Sequence, residues 1–361
     1  MVAYIRKMVV EQKKWLDEAS FRDGVAFCQM VPGATAMQTA AYAGLRLRGV
    51  SGAAVSFIGF GLPAFLIMLI FSALYTQTQG LSQIISAFKG LQVIVVAIVA
   101  NATISFGRTT IKDWKGIVIA IIAASLFGLG VSPILVIILA ALLGFLLYLK
   151  QPAPRIDSPP GESRSTTRPV LILLAVVIFG FALLFFINRG LFELAALMFR
   201  IDLFAFGGGF ASVPLMFHEV VDVRSWMDSP TFLNGIALGQ ITPGPIVITA
   251  TFIGYLLYGP LGGLIATVSV FLPSFLIVAA ITPYFNRLSG SPLFNKVIKG
   301  ILCSFVGLLL SVTVLFALKI PWDVFRVLLV SAAFVSLLFK VEIYWVVIIG
   351  VVISIIFLQV F

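Results

Sequence analysis

Charge is scarce in this chain. Lys and Arg number 24 and Asp and Glu 14 among 361 residues, 11% in all, against about 25% in a soluble domain. Histidine occurs once, at His218, so neither a metal cluster nor a catalytic triad is visible. The two cysteines, Cys28 and Cys303, lie in apolar segments without metal-type spacing; they read as small buried hydrophobes and imply no disulfide framework. No Gly-Lys-Ser/Thr sequence follows a glycine motif, which excludes a phosphate-binding loop. These absences argue against an enzyme and against a bound cofactor. Residues 1–20 are polar, with Arg6, Lys7, Glu11, Lys13, Lys14, Asp17 and Glu18, unlike a cleavable signal peptide.

Apolar residues are abundant instead: 61% of the chain is hydrophobic, with a mean hydropathy of +1.14. Apolar runs near 21–44, 50–75, 84–106, 116–130, 133–149, 169–187, 191–217, 232–257, 260–285, 297–318, 323–339 and 341–361 suit a hydrocarbon core of about 30 Å. A β-barrel would alternate polar lumen positions. The expectation is an all-α polytopic membrane protein with about 12 membrane segments. In such a protein the +10 formal charge marks cytoplasmic loops rather than a nucleic-acid partner. Residues 150–168 are rich in proline, serine and charge and cannot build a core. They divide the chain into a first repeat at 1–150, a polar linker at 151–168, a linking transmembrane helix at 169–189 and a second repeat at 190–361.

The repeat is read from spacing. Gln29, Pro32 and Gly33 precede Gln240, Pro243 and Gly244 by 211 positions, as Trp15 and Asp17 precede Trp226 and Asp228. At 210, Gly44, Gly49 and Gly52 match Gly254, Gly259 and Gly262, Leu62-Pro63 matches Leu272-Pro273, and Lys89-Gly90 matches Lys299-Gly300. So steady an offset indicates internal duplication. Met8 and Glu11 align with Met216 and Glu219 at 208, which sets Met1 opposite Gly209. The first repeat is therefore expected to lack its first helix, through a start annotated too late or a repeat one helix short, the former being favoured. Basic loops near Arg46/Arg48 and Arg108/Lys112/Lys115 in the first copy change sides in the second, where Arg287, Lys296 and Lys340 carry the charge. The positive-inside rule then places the copies in opposite orientations, the inverted-repeat plan of many secondary transporters.

Pro and Gly inside a spanning helix free backbone groups that hydrocarbon cannot satisfy, so such breaks must be buried in protein or line a wet cavity. The helix resuming after Pro243-Gly244-Pro245 would offer unpaired N–H groups and partial positive charge, a seat for an anion. Pro32-Gly33 repeats the break, and Gln29 and Gln240 stand ready as neutral donors. A packing kink is the plainer reading. Gly207, Gly208 and Gly209 free the backbone to approach a ligand. Beside them, Arg200 and Asp202 lie in an apolar run and either line the path, pair with each other or snorkel to an interface. Lys89 and Lys299 open matching helices as cationic stations or interfacial anchors. Asp202 and Glu219 are candidate proton carriers, although a His218-Glu219 pair near a membrane end is more often a solvated surface pair.

Taken together, Phe206-Gly207-Gly208-Gly209-Phe210-Ala211, Trp226, Gln240-Ile241-Thr242-Pro243-Gly244-Pro245, Phe252-Ile253-Gly254-Tyr255 and Phe271-Leu272-Pro273-Ser274-Phe275 resemble the signature of the chromate ion transporter family. Trp15-Leu16-Asp17, Gln29 to Gly33 and Leu62-Pro63-Ala64-Phe65 resemble its first-domain counterparts. The resemblance implies a multi-pass protein of the inner (plasma) membrane that exports chromate, driven by the proton-motive force. Its partners would be chromate or sulfate, protons and the lipid bilayer, with a homodimer left open. The chain departs from the family pattern where the first glycine motif is absent and where Pro32-Gly33-Ala34 replaces Pro-Gly-Pro. A transporter of sulfate or another oxyanion, and a non-transporting membrane subunit on the same scaffold, remain alternatives; a membrane enzyme is the weakest.

Overall fold

A computed structural model describes residues 1–78, 81–149, 167–284 and 290–357. The expected linker lies outside the described residues up to position 166, as does Arg287. Among the described residues everything regular is helical except one isolated bridge, Pro32 to Phe206. In the first half, α1 (Val2–Arg6) runs into a π-helical turn, Lys7–Gln12, followed by α2 (Glu18–Met30), α3 (Thr35–Thr78), α4 (Ser82–Thr110), α5 (Trp114–Gly128) and α6 (Pro133–Leu147). A linking helix follows, α7 (Thr167–Ile187), and the second half opens with α8 (Arg189–Phe204). The second half then brings α9 (Ser212–Phe217) with its π-turn His218–Val223, α10 (Ser229–Ile241), α11 (Thr249–Ile281), α12 (Pro292–Leu318), α13 (Val324–Leu338) and α14 (Ile343–Phe357).

The backbone repeats with the sequence. Asp17 and Asp228 cap α2 and α10 by accepting the N–H three residues on, and Asp113 and Asp323 do the same for α5 and α13. Each satisfies a donor that the first helical turn leaves free. Lys14 and Ser225 share a φ of 50°. One register differs from the sequence expectation. The π-turns fall at 7–12 and 218–223, so the 211 offset persists, Glu219 stands opposite Met8, and Met1 stands opposite Ser212. The Met/Glu match at 208 has no counterpart in the backbone.

Three stretches expected as single crossings are folded as broken hairpins. Both α2 and α10 have 13 residues, about 20 Å at 1.5 Å per residue and short of the hydrocarbon thickness. After each break the chain returns alongside: Gly24 lies under the ring of Tyr42, Gly235 under Phe252 and Gly239 against Thr249. Within α3 the chain then reverses again at Arg48 (φ −137°, ψ 23°) and Gly49 (φ 67°, ψ −155°), and within α11 at Tyr258 (φ −139°, ψ 26°) and Gly259 (φ 61°, ψ −155°). Across these turns Gly44 meets Gly52 backbone to backbone, as Gly254 meets Gly262. The third hairpin is α8 with α9, which pack together around the triple glycine. Among the described residues five helical stretches are long and apolar enough to cross a membrane: Thr35–Thr78, Ser82–Thr110, Arg168–Ile187, Ile246–Ile281 and Pro292–Leu318. The chain is a polytopic membrane protein.

The halves are interlocked rather than side by side. Helix α12 packs on α5 and α6 of the first half, and α4 packs on α13 and α14 of the second. Lipid is as apolar as leucine, so association rests on close van der Waals contact, which small residues allow. Gly300 sits on Gly144, Gly307 on Ala120, and Gly90 on Ser354. Two pairs of equivalent helices cross directly. Thr103 and Thr313, 210 positions apart, meet hydroxyl to hydroxyl at 3.3 Å, while Gly107 lies against Val306, so α4 and α12 run antiparallel. Phe57 packs on Phe271 and Phe275 at ring distances of 6.3 and 5.3 Å, while Gly263 faces Leu69, so α3 and α11 are antiparallel too.

Basic ends from both halves gather together. Lys115 Nζ donates to the Leu147 carbonyl at 2.6 Å and Lys296 Nζ to that of Leu149 at 2.7 Å. Lys299 Nζ bonds Asp113 at 2.8 Å and lies 3.9 Å from the centre of the Tyr148 ring, whose hydroxyl donates to the same carboxylate. Among the described residues no ion pair joins the equivalent Lys89 and Asp323; Asp323 pairs with Arg326.

Candidate functional site

The three motifs singled out in the sequence converge where the helices are interrupted. Pro32 bridges to Phe206, and the Gly33 N–H donates to the Ala205 carbonyl at 2.8 Å. Gly207 (φ 96°) presses on the ring of Phe106, Gly208 (φ 100°) faces Thr35, and Gly209 faces Ile246. A side chain at Gly207 would overlap that ring, and both φ values suit glycine alone. The triple glycine therefore threads between the end of one break and the end of the other.

The two breaks differ in what they meet. At the first, the Ala34 N–H donates to Ser274 Oγ at 3.0 Å, and Ser274 donates its N–H and hydroxyl to Asp202 Oδ2 at 2.9 and 2.7 Å. Gln38 Nε2 donates to the Pro32 carbonyl at 2.6 Å. Asp202 and Gln38 are fully buried, and Asp202 Oδ1 and Gln38 Oε1 have no partner among the described residues. This break is closed in protein.

At the second break the chain lines a cavity of about 770 Å³. Gln240, Thr242, Pro243 and Gly244 form one wall; Asn101, Ser105 and Arg108 come from α4, and Lys340 and Glu342 from the turn between α13 and α14. Gln240 Nε2 is buried and has no acceptor among the described residues. An unpaired buried donor carries a desolvation penalty of about 1–3 kcal/mol unless something accepts from it. Two cations against one carboxylate give the cavity a net positive charge; its uncharged polar side chains are hydroxyls and amides, set among aliphatic residues such as Ile104, Ile241, Leu337 and Val341. Such a lining can strip water from an anion and replace it with N–H and O–H donors. Among the described residues no group of three or more His, Cys, Asp or Glu side chains could hold a metal ion.

The family profile for chromate transporter matches residues 1–145 and 192–355. The chain belongs to the chromate transporter family. It is 44% identical over 356 residues, 98% of this chain and 88% of the relative, to an uncharacterized transporter of Methanocaldococcus jannaschii. A probable chromate transport protein of Synechococcus elongatus is 30% identical over 315 residues, 85% and 77% of the two chains. A chromate transport protein of Cupriavidus metallidurans is 27% identical over 355 residues, 94% and 83%. No solved structure matches the chain.

In this chromate transporter family member the sequence-derived candidates separate into groups. Gln240, Pro243 and Gly244 line the cavity, with Pro245 buried behind them. Pro32, Gly33 and Gly207 to Gly209 form the closed junction beside it. Gln29 and Lys89 are exposed on their helices. Lys299 is held by Asp113. Arg200 and Asp202 do not pair with each other: Asp202 turns to Ser274, while Arg200 and Arg224 both bind Glu219. Sequence reasoning missed Gln38, hidden in an apolar run, and Asn101 and Ser105 on α4. Arg108 and Lys340 were noted only as loop charges, although their shared sidedness was the signal that could have brought them together.

Proposed function

We propose that the chain is an inverted-repeat secondary transporter that exports chromate across the plasma membrane, with the proton-motive force as its driver. The observation that carries this reading is the unequal state of the two breaks, one opening into a basic cavity and the other sealed by the 202–206 segment. Alternating access through a repeat built twice requires such a difference. Antiparallel crossing of α4 with α12 and of α3 with α11 supports opposite orientations of the halves, as does the gathering of Arg108 with Lys340 and of Lys115 with Lys296. The basic side is cytoplasmic by the positive-inside rule, so the open cavity takes its anion from the cytoplasm. Relatives named for chromate transport support the substrate.

In this mechanism Arg108 and Lys340 draw the dianion in, and Gln240 Nε2 and Thr242 take over its hydrogen bonds at the break. Asp202 carries the coupling proton: its carboxyl is fully buried, one oxygen lacks a donor among the described residues, and Ser274 ties it to the first break. Protonation would loosen that tie and let the closed junction part. The test is uptake of labelled chromate and labelled sulfate into inverted membrane vesicles, with and without an imposed proton gradient. Gradient-dependent chromate uptake supports the proposal. Preference for sulfate would reassign the substrate, and no uptake of either anion would favour a non-transporting subunit.

A further inference from the structure

Glu219 occupies an unusual place. Its carboxylate oxygens are divided between two guanidinium groups, Oε1 taking Arg200 Nη2 and Oε2 taking Arg224 Nη1. The acid is the buried partner, its side chain 10% exposed, whereas those of Arg200 and Arg224 are 42% and 29% exposed. In an ordinary surface ion pair both ends are solvated. Here two reachable cations enclose a sequestered anion, the arrangement of a ligand in its site.

We propose that Glu219 is a built-in substitute for the transported oxyanion: Arg200 and Arg224 form an oxyanion seat, and the substrate must displace Glu219 to use it. This rests on the oxyanion reading given above. Guanidinium groups bind a carboxylate or a tetrahedral oxyanion through the same paired N–H geometry, so what holds one oxygen on each arginine can hold two oxygens of sulfate or chromate. Charge favours the exchange. A single carboxylate answers two arginines, while a dianion matches both.

The surroundings keep the seat in place. Arg200 stands on α8 just before the interrupted segment, Glu219 on the π-turn, and Arg224 at that turn's end with its guanidinium 5.5 Å from the centre of the Trp226 ring. A π-turn inserts an extra residue per turn, a distortion found often at functional sites. His218 faces Asp222 at 3.7 Å and draws that carboxylate to itself. In the first half the matching positions hold Met8 and Lys13, so the carboxylate and one arginine are lost together. The seat belongs to the second half alone, the half whose break lines the basic cavity.

The experiment uses the full chain reconstituted in liposomes. Glu219→Gln keeps the shape and removes the competing charge. Its KM for labelled chromate should fall about tenfold, the equivalent of one charge-assisted hydrogen bond no longer contested. Adding Arg200→Gln to Glu219→Gln should erase the gain. In parallel, phenylglyoxal modification of Arg200 and Arg224 is read by peptide mass. Both should react slowly in the wild type, rapidly in Glu219→Gln, and slowly again when sulfate or chromate, but not chloride, is added. An ordinary structural ion pair predicts the reverse, with KM unchanged or raised and no protection by any anion; either result in folded Glu219→Gln overturns the proposal. If the wild type takes up neither anion, the oxyanion-transport reading fails by itself. The modification experiment then still decides the seat: protection by sulfate keeps it, and none overturns it.

Discussion

Replacing Gln240 with methionine separates binding from folding, because the two should move in opposite directions. The Gln240 amide nitrogen is buried at the cavity wall without an acceptor among the described residues. In the resting protein it contributes a penalty of about 1–3 kcal/mol, and a bound anion would recover it through a charge-assisted hydrogen bond of about 1.5–3 kcal/mol. Methionine is similar in length and has no donor. KM for chromate should therefore rise about 10- to 100-fold, while the unfolding temperature of the detergent-purified protein holds or rises. Gln29→Met is the control, since Gln29 is exposed, and should change KM less than about twofold, within the range of surface substitutions. Initial-rate uptake and thermal melting decide the matter. A fall in melting temperature with unchanged KM would show that Gln240 is a structural residue, and the cavity would lose its central donor.

The remaining predictions concern charge and backbone. Arg108→Gln and Lys340→Gln should each lower uptake at low anion concentration and weaken its dependence on ionic strength, since long-range attraction is screened by salt; equal salt dependence in variant and wild type would remove both from the path. Gly33→Ala should cost more than about 2 kcal/mol, because φ is 119° and a Cβ would lie 2.0 Å from Ser274 Oγ in a strained region. Gly49→Ala, at φ 67° and ψ −155° with open space around it, should cost less, about 1–3 kcal/mol from backbone strain alone. Chemical-denaturation midpoints distinguish them, and equal losses would place no special packing at the first break. For Asp113, burial raises the carboxyl, but hydrogen bonds from Lys299, Tyr148 and the Gly116 N–H outweigh it and hold the group at about 2. A depressed carboxyl stabilises above its unfolded value of about 3.9 and loses that contribution as pH falls through about 2. Wild type should thus exceed Asp113→Asn by about 1–2 kcal/mol at pH 5, the margin closing toward pH 2; a margin constant with pH would deny the ion pair its role.

Broken helices were legible because glycine and proline recur at fixed offsets and leave few backbone options. The hairpins were not. An apolar run such as 21–44 has the same composition whether it crosses once or turns back, and only the packing of Gly24 under Tyr42 and Gly235 under Phe252 distinguishes them. Gly49 and Gly259 were visible as matching glycines, but their role as reversal points depends on backbone angles. Arg200 was recognised as a charge that needs a reason, and the partner weighed for it, Asp202, is near in sequence, while Glu219 is brought near by the α8–α9 turn. The cavity draws on α4, the second break and the α13–α14 turn, so no local window contains it.

The exchange of helices between the halves sets a timetable for synthesis. Helices α5 and α6 find their main partner in α12, which begins about 145 residues after Leu147. At about 5–20 residues per second, some 7 to 30 s pass before that partner leaves the ribosome. Throughout that interval Gly144 and Ala120, shaped to receive Gly300 and Gly307, face lipid or a temporary neighbour. The nascent first half is thus a client in waiting, and membrane chaperones that shield small-residue helix faces would act on it before any anion does.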